Sequence, residues 1–213
     1  MEKKNTVLLT VIAIATLLVA VVGATFAYFA SNSSNNTATT ITTEVAGAAD
    51  VFTATGATAL SLNVNNSNMA TTAETKVADS ANADLSLVLT AGSGTATCTY
   101  DIVWTPNTTD PYTAYQASAN RGDNLEYSLV VKEGENAVFA ETNIDKITDN
   151  VLYSGSISST EGATATKTYN VAATFYNLNV GQPGLFGKKY SGTVEIANVV
   201  CKNGETTIYE SNN

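Results

Sequence analysis

The sequence predicts an all-β protein: a single antiparallel β-sandwich that follows an N-terminal hydrophobic leader helix. Apolar and small polar residues alternate with a period of two in several segments, most regularly in Tyr169–Phe175. Turn signals rich in glycine and asparagine separate these segments. After the leader, no long segment repeats its apolar residues with the 3.6-residue period of a helix. These observations favour strands throughout the folded part of the chain.

The first residues have the layout of an export leader. A short charged stretch, Glu2–Lys4, precedes the apolar run Val7–Val22, and Thr25–Ala27 then places a small residue on each side of an aromatic one. This order is typical of a signal peptide, so we expect cleavage between Ala27 and Tyr28. The alternative is an uncleaved anchor, because the uncharged run is long enough to span a bilayer as a helix. In both cases the rest of the chain is secreted or lies at the cell surface.

The chain after the leader divides into a short arm and one folded domain. Residues 28–40 are polar and of low complexity, so we expect them to form no packed structure of their own. Residues 41–213 form the predicted sandwich. Its first strand-like piece can add to an open sheet edge by backbone hydrogen bonds, which makes it the candidate assembly arm: Ile41, Thr42, Thr43, Glu44 and Val45.

The chain has two cysteines, Cys98 and Cys201, and no histidine. In an exported chain an even number of cysteines predicts a disulfide, whereas a catalytic thiol would lack its base. Closing a loop of about 100 residues stabilises a fold by roughly 4–5 kcal/mol in the chain-entropy model. Strict alternation from Val194 points Cys201 outward, so we expect a β-bulge near Ala197–Asn198 that turns the end of this strand inward.

Rows of apolar residues identify the inward faces of the strands. Leu85–Leu89 and Cys98–Trp104 each contain such a row, and the turn signal Ala91–Gly94 between them predicts a hairpin. Trp104 is expected in the core beside the disulfide. The predicted core consists of Leu60, Leu62, Leu85, Leu87, Leu89, Ile102, Trp104, Leu125, Tyr127, Leu129, Val171 and Phe175.

Charge and composition limit the classes of function. The formal net charge is −9, whereas a surface that binds nucleic acid needs clustered basic residues. Without histidine the chain has no Ser-His-Asp triad and no histidine-containing zinc site. Paired carboxylates remain as an alternative, but the candidate acids fall in turns or on the outward phase of strands: Asp101, Asp123, Glu126 and Glu195. We therefore expect neither an enzyme nor a cofactor or metal site.

Three local motifs have a turn or loop as their simplest interpretation. Gly181–Lys189 superficially resembles a phosphate-binding loop, but its glycine spacing is wrong and it lies between two predicted strands. Arg121–Asp123 is an Arg-Gly-Asp tripeptide, for which a turn is a simpler interpretation than integrin adhesion. Asn143, Asp145 and Asp149 form an acidic cluster that lacks the glycine and the terminal glutamate of a calcium loop.

The end of the leader, Val21–Phe29, has the pattern Gly-x-Thr-aromatic-Ala-aromatic-Phe. In this pattern, and more loosely in Tyr169–Cys201, the chain resembles the TasA/camelysin-like secreted proteins of Gram-positive bacteria. The resemblance implies a jelly-roll-like sandwich that assembles into extracellular fibres by donor-strand exchange, in which one subunit's N-terminal segment completes the next subunit's sheet. The resemblance implies that Tyr28–Val45 would play this part here. The protease activity attributed to camelysin-type members is not carried over, because the chain has no histidine.

Two hypotheses of function follow from these observations. The first is a secreted structural protein that polymerises with itself into a biofilm-matrix or cell-surface fibre. The alternative is a binding or adhesion module that its leader anchors to the membrane and that recognises a surface or matrix carbohydrate. A free N-terminal arm favours the fibre, and a retained leader with a lined groove favours the binding module.

Overall fold

The computed structural model describes residues 39–43, 50–65, 69 and 74–211, and only the backbone of residues 39–43. These residues form strands joined by turns and loops, with a 3₁₀ turn at Ile144–Lys146 and no α-helix among them. The strands are β1 Thr39–Thr43, β2 Asp50–Ala54, β3 Thr58–Asn63, β4 Lys76–Thr90, β5 Thr95–Asn107, β6 Tyr127–Glu133, β7 Asn136–Asn143, β8 Val151–Thr160, β9 Thr164–Asn177, β10 Lys189–Asn203 and β11 Thr206–Glu210.

The strands build two antiparallel sheets packed face to face, which confirms the predicted all-β sandwich. The six-stranded sheet has the order β1-β2-β4-β9-β6-β7, and the five-stranded sheet has the order β11-β10-β5-β8. β3 and β11 share one edge of β10: β3 pairs with its first half and β11 with its last residues. The long strands β5 and β10 therefore form the centre of the second sheet.

The core lies between the two sheets. Along β9 the inward residues from Tyr169 to Phe175 are buried, while the residues between them are partly exposed. Every predicted core residue is buried except Leu125, which is only half-buried. The prediction for Leu125 was wrong because this residue precedes β6, and its neighbour Glu126 occupies the fully buried position instead.

The predicted hairpin between β4 and β5 does not form. β4 pairs with β2 and β9 in one sheet, whereas β5 pairs with β10 and β8 in the other. The inward rows of both strands, Leu85–Leu89 and Cys98–Trp104, are buried. They lie on facing sheets, so the turn at Ala91–Gly94 takes the chain from one sheet to the other.

Trp104 is buried in the core as predicted, but it does not lie beside the disulfide. It lies six positions after Cys98 along β5, a distance of about 20 Å in an extended strand. Its indole ring packs against Gly192 of β10, where an added Cβ would lie only 2.3 Å from the ring. Gly192 is therefore required by this packing, because any larger residue would collide with the indole.

Cys98 and Cys201 form the predicted disulfide. They lie directly opposite each other on β5 and β10, with Cα atoms 4.0 Å apart. The pairing register shifts between Ala197 and Val200, and Asn198 has a φ of 51° and is exposed. This irregularity is the predicted bulge, and beyond it the inward residues of β10, including Cys201, are buried.

Candidate functional site

β1 is one of the two edge strands of the six-stranded sheet, the other being β7, and it contains the predicted arm residues Ile41–Thr43. β1 pairs antiparallel with β2, from Thr39 opposite Ala54 to Thr43 opposite Asp50. The part of the arm that the structure describes thus adds to the sheet of its own domain. The other predicted site residues of the leader and arm lie outside the described residues: Ala27, Tyr28, Glu44 and Val45.

A small groove of about 200 Å³ opens beside the end of β2. Phe52 of β2 and Gly56 of the connection after it line one side, and Ile196 of β10 and Tyr209 of β11 line the other. Thr39, the first residue of β1, lies opposite Ala54, which also lines the groove.

β8 is an edge strand of the five-stranded sheet, at the end of the strand order opposite β11. Among the described strands it pairs with β5 alone, so its outer backbone groups have no strand partner there. β8 contains ten residues and neither a charge nor a proline. Edge strands usually carry such residues to prevent pairing with other chains, so β8 is a second edge open to strand addition.

Two loops meet at the end of the sandwich that lies opposite the disulfide. The 108–126 loop connects β5 to β6, and the 178–188 loop connects β9 to β10. Between them the side chain of Glu126 is fully buried. We call this region the Glu126 end, and the region around Cys98 and Cys201 the disulfide end.

The carboxylate of Glu126 accepts four hydrogen bonds. Its Oε2 accepts from the Tyr115 hydroxyl at 2.7 Å and from the Ser118 backbone N–H at 2.9 Å. Its Oε1 accepts from the Ser118 hydroxyl, in a very short contact, and from Gln182 Nε2 at 2.8 Å. A buried carboxylate needs such donors to offset its lost hydration. Burial and the hydrogen bond to Glu126 raise the pKa of Tyr115, which keeps its hydroxyl protonated as a donor.

The side-chain amide of Gln182 is also held at every polar atom. Its Oε1 accepts the Leu178 backbone N–H at 2.7 Å, and its Nε2 donates to Glu126 and to the Tyr176 carbonyl oxygen at 3.0 Å. These partners fix which end of the amide is oxygen and which is nitrogen. Gln182 therefore ties the 178–188 loop to the start of β6.

An ion pair lies next to this network. The guanidinium of Arg121 is bidentate to Asp145, at 2.6 and 3.0 Å, and its hydrogen bond lowers the pKa of that carboxyl. Only 6% of Arg121 is exposed, so the arginine of the Arg-Gly-Asp tripeptide is not presented to a receptor. Asn143 is buried as well and binds the backbone of Glu126 and Asn124.

Two members of the acidic cluster of the sequence, Asn143 and Asp145, are thus engaged in structural contacts, and among the described residues no three acidic or cysteine side chains converge on a metal site.

The sequence placed Glu126 on a solvated face, and this prediction was wrong. The face that alternation marks as outward is covered here by the 108–126 loop, through Tyr115 and Ser118. The other three acids are exposed or half-exposed, and Asp101 accepts hydrogen bonds from Ser154 and Asn198. No local motif signals the buried glutamate, because its partners come from two separate loops.

A groove of about 540 Å³ lies over the Glu126 end. Amide side chains line it, among them Asn120, Asn179 and Gln182, together with the half-exposed ring of Phe186. Gln182 is the contact between the groove and the buried network, since its amide also binds Glu126.

No helix in the part of the chain that the structure describes has the length and hydropathy to cross a bilayer. No protein-family model matches the chain, and neither a curated protein nor a solved structure matches it.

Proposed function

We propose that the chain is a secreted structural protein, the subunit of a biofilm-matrix or cell-surface fibre that assembles through its N-terminal arm. The sandwich is then a jelly-roll-like domain that serves as the repeating unit. The disulfide supports an oxidising, extracellular environment. The end of the leader, Val21–Phe29, resembles that of proteins that assemble in this way.

The observation that carries the proposal is the ladder between β1 and β2. The described part of the arm, Thr39–Thr43, is an edge strand that pairs with β2 alone among the described strands, by the backbone groups of five residues. The same ladder forms equally well when the arm belongs to another subunit, because its hydrogen bonds involve only the backbone. Each subunit then gives an arm and accepts one, and such a head-to-tail contact propagates into a filament.

Protein that starts at Tyr28 is expected to form fibres, and protein that starts at Asp50 is expected to remain monomeric. Negative-stain microscopy and analytical ultracentrifugation distinguish the two. Ile41→Pro in the longer protein is the matched control: it keeps the length of the arm but removes a backbone donor, and we expect it to prevent assembly. Equal polymerisation of the shortened protein would rule out the arm as the donor.

A second variant identifies the acceptor edge. Ser156→Lys places a charge on the edge strand β8 and leaves β2 unchanged, so fibres are expected to form as in the parent. Loss of fibres in this variant would assign the acceptor role to β8 instead of β2.

The groove over the Glu126 end favours a second candidate, a membrane-anchored module that binds carbohydrate. Amide groups and an exposed aromatic ring supply the hydrogen bonds and the apolar face that a sugar requires. Calorimetric titration with matrix polysaccharides tests this candidate: binding by the parent that Phe186→Ala abolishes would favour it over the fibre.

A further inference from the structure

The Glu126 end brings a hydroxyl, a carboxylate and a primary amide into contact out of solvent. Ser118, Glu126 and Gln182 are 7%, 0% and 8% exposed. The Ser118 hydroxyl and Gln182 Nε2 donate to the same oxygen, Oε1 of Glu126. The two donors are therefore separated by no more than two hydrogen-bond lengths. We propose that Ser118 and Gln182 become joined by an intramolecular ester bond, in a self-reaction that Glu126 catalyses once per chain.

The proposed step is a balanced acyl transfer. Ser118 Oγ attacks Gln182 Cδ while Glu126 takes the hydroxyl proton as a general base. The Cδ–Nε2 bond then breaks, Glu126 returns the proton to the departing nitrogen, and ammonia leaves. The Oγ–Cδ bond is the bond formed, the product is an ester, and no oxidant, metal or further reactant takes part.

The contacts around the three groups fit their roles. Negative charge develops on Gln182 Oε1 during the attack, and the Leu178 backbone N–H already donates to that oxygen at 2.7 Å, as a donor of an oxyanion hole does. Tyr115 and the Ser118 backbone N–H hold Oε2 of Glu126, which leaves Oε1 directed at the reacting pair. Fixing both reactants in one site replaces an encounter in solution, which lowers the entropic part of the barrier.

The surroundings also provide an exit for the product and protection for the bond. Gln182 lines the groove of about 540 Å³, so ammonia has a route from the site to solvent. The ester itself stays among buried side chains, where little water is available to hydrolyse it. The bond joins the 108–126 loop to the 178–188 loop, at the end of the sandwich that has no disulfide. This inference does not depend on the fibre proposal, because the reaction occurs within one chain.

A peptide map of the full-length protein tests the ester. Trypsin cuts after Lys76, Arg121, Lys167 and Lys188, which puts Ser118 and Gln182 in two peptides, residues 77–121 and 168–188. After reduction of the disulfide, mass spectrometry is expected to find these peptides linked, with a mass one ammonia below their sum. Mild alkali is expected to separate them and to leave a carboxyl side chain at position 182. Two unlinked peptides of full mass from folded, disulfide-bonded protein would overturn the proposal.

Variants assign the roles of the groups. Ser118→Ala and Glu126→Gln are each expected to abolish the link, whereas Ser118→Thr keeps a hydroxyl and is expected to retain it. Gln116→Glu, an exposed position in the same loop, is the matched control and is expected to leave the link intact. A link that persists in Ser118→Ala would contradict the assignment. The disulfide and the near-ultraviolet circular dichroism of each variant show whether it is folded. The peptide map of the parent protein decides whether the ester exists, even where a variant does not fold.

Discussion

The two ends of the sandwich are closed in different ways. At the disulfide end, two neighbouring strands of one sheet are joined covalently through Cys98 and Cys201. At the Glu126 end, the structure shows two loops held together by hydrogen bonds to one buried carboxylate, at the place where we propose the ester. Beside the disulfide β10 bulges, which turns Cys201 toward Cys98. A hydrogen-bonded carboxylate depends on every donor, because each unpaired polar group in the interior costs free energy.

The largest effect is expected at the disulfide end. Replacing both cysteines, Cys98→Ala with Cys201→Ala, is expected to lower the free energy of unfolding by roughly 4–5 kcal/mol, because the unfolded chain gains the freedom of a long loop. Urea unfolding of the variant and of the parent measures the difference. Hydrogen exchange is expected to increase first near Cys98 and to stay low at the Glu126 end. Equal midpoints for both proteins would show that the bond contributes nothing to stability.

An apolar substitution beneath the Glu126 end is expected to have the next largest effect. Phe175 is fully buried and stacks on Tyr190, with ring centroids 5.8 Å apart. Phe175→Ala is expected to cost about 3–5 kcal/mol, since it leaves a cavity among aromatic rings. Thermal unfolding checks it, with Phe186→Ala on the exposed loop as the control. If the variant melted at the temperature of the parent, the inward face of β9 would be assigned backwards.

The smallest effect is expected at the bulge of β10. Asn198→Val puts a β-branched residue at a φ of 51°, which is expected to cost about 1–2 kcal/mol in backbone strain. Asn198→Gly removes the same hydrogen bond to Asp101 without the strain and therefore isolates the backbone contribution. Denaturant unfolding compares the two variants. Equal stabilities of the two variants would mean that strain of the left-handed backbone does not explain the destabilisation by valine.

Some features of the sandwich can be predicted from the sequence, and others cannot. Alternation along β9 predicts its buried face, because one face of the strand meets the core and the other does not. The bulge is predictable too, since Cys201 has to face Cys98 and strict alternation would prevent it. The passage of the chain from one sheet to the other between β4 and β5 is not predictable. A turn at Ala91–Gly94 has the same composition whether the chain stays in its sheet or leaves it.

Glu126 was mispredicted for a related reason. Alternation describes a strand with one solvated face, whereas the start of β6 is covered on both faces. Ser128, on the supposedly outward face, is fully buried as well. Over Glu126 the cover comes from loop residues such as Tyr115 and Ser118, whose positions depend on the whole fold. A buried carboxylate of this kind is found only once the loops are placed.

The short ladder of β1 has a mechanical consequence for a fibre built through it. Tension along such a fibre would pass from one subunit to the next through a strand of five residues. Within each subunit the pull would meet β4 and β9, paired strands of fifteen and fourteen residues, and a covalent cross-link in the facing sheet. The joint between subunits would therefore yield before the subunits unfold. An overstretched fibre would separate into intact building blocks, each able to join again.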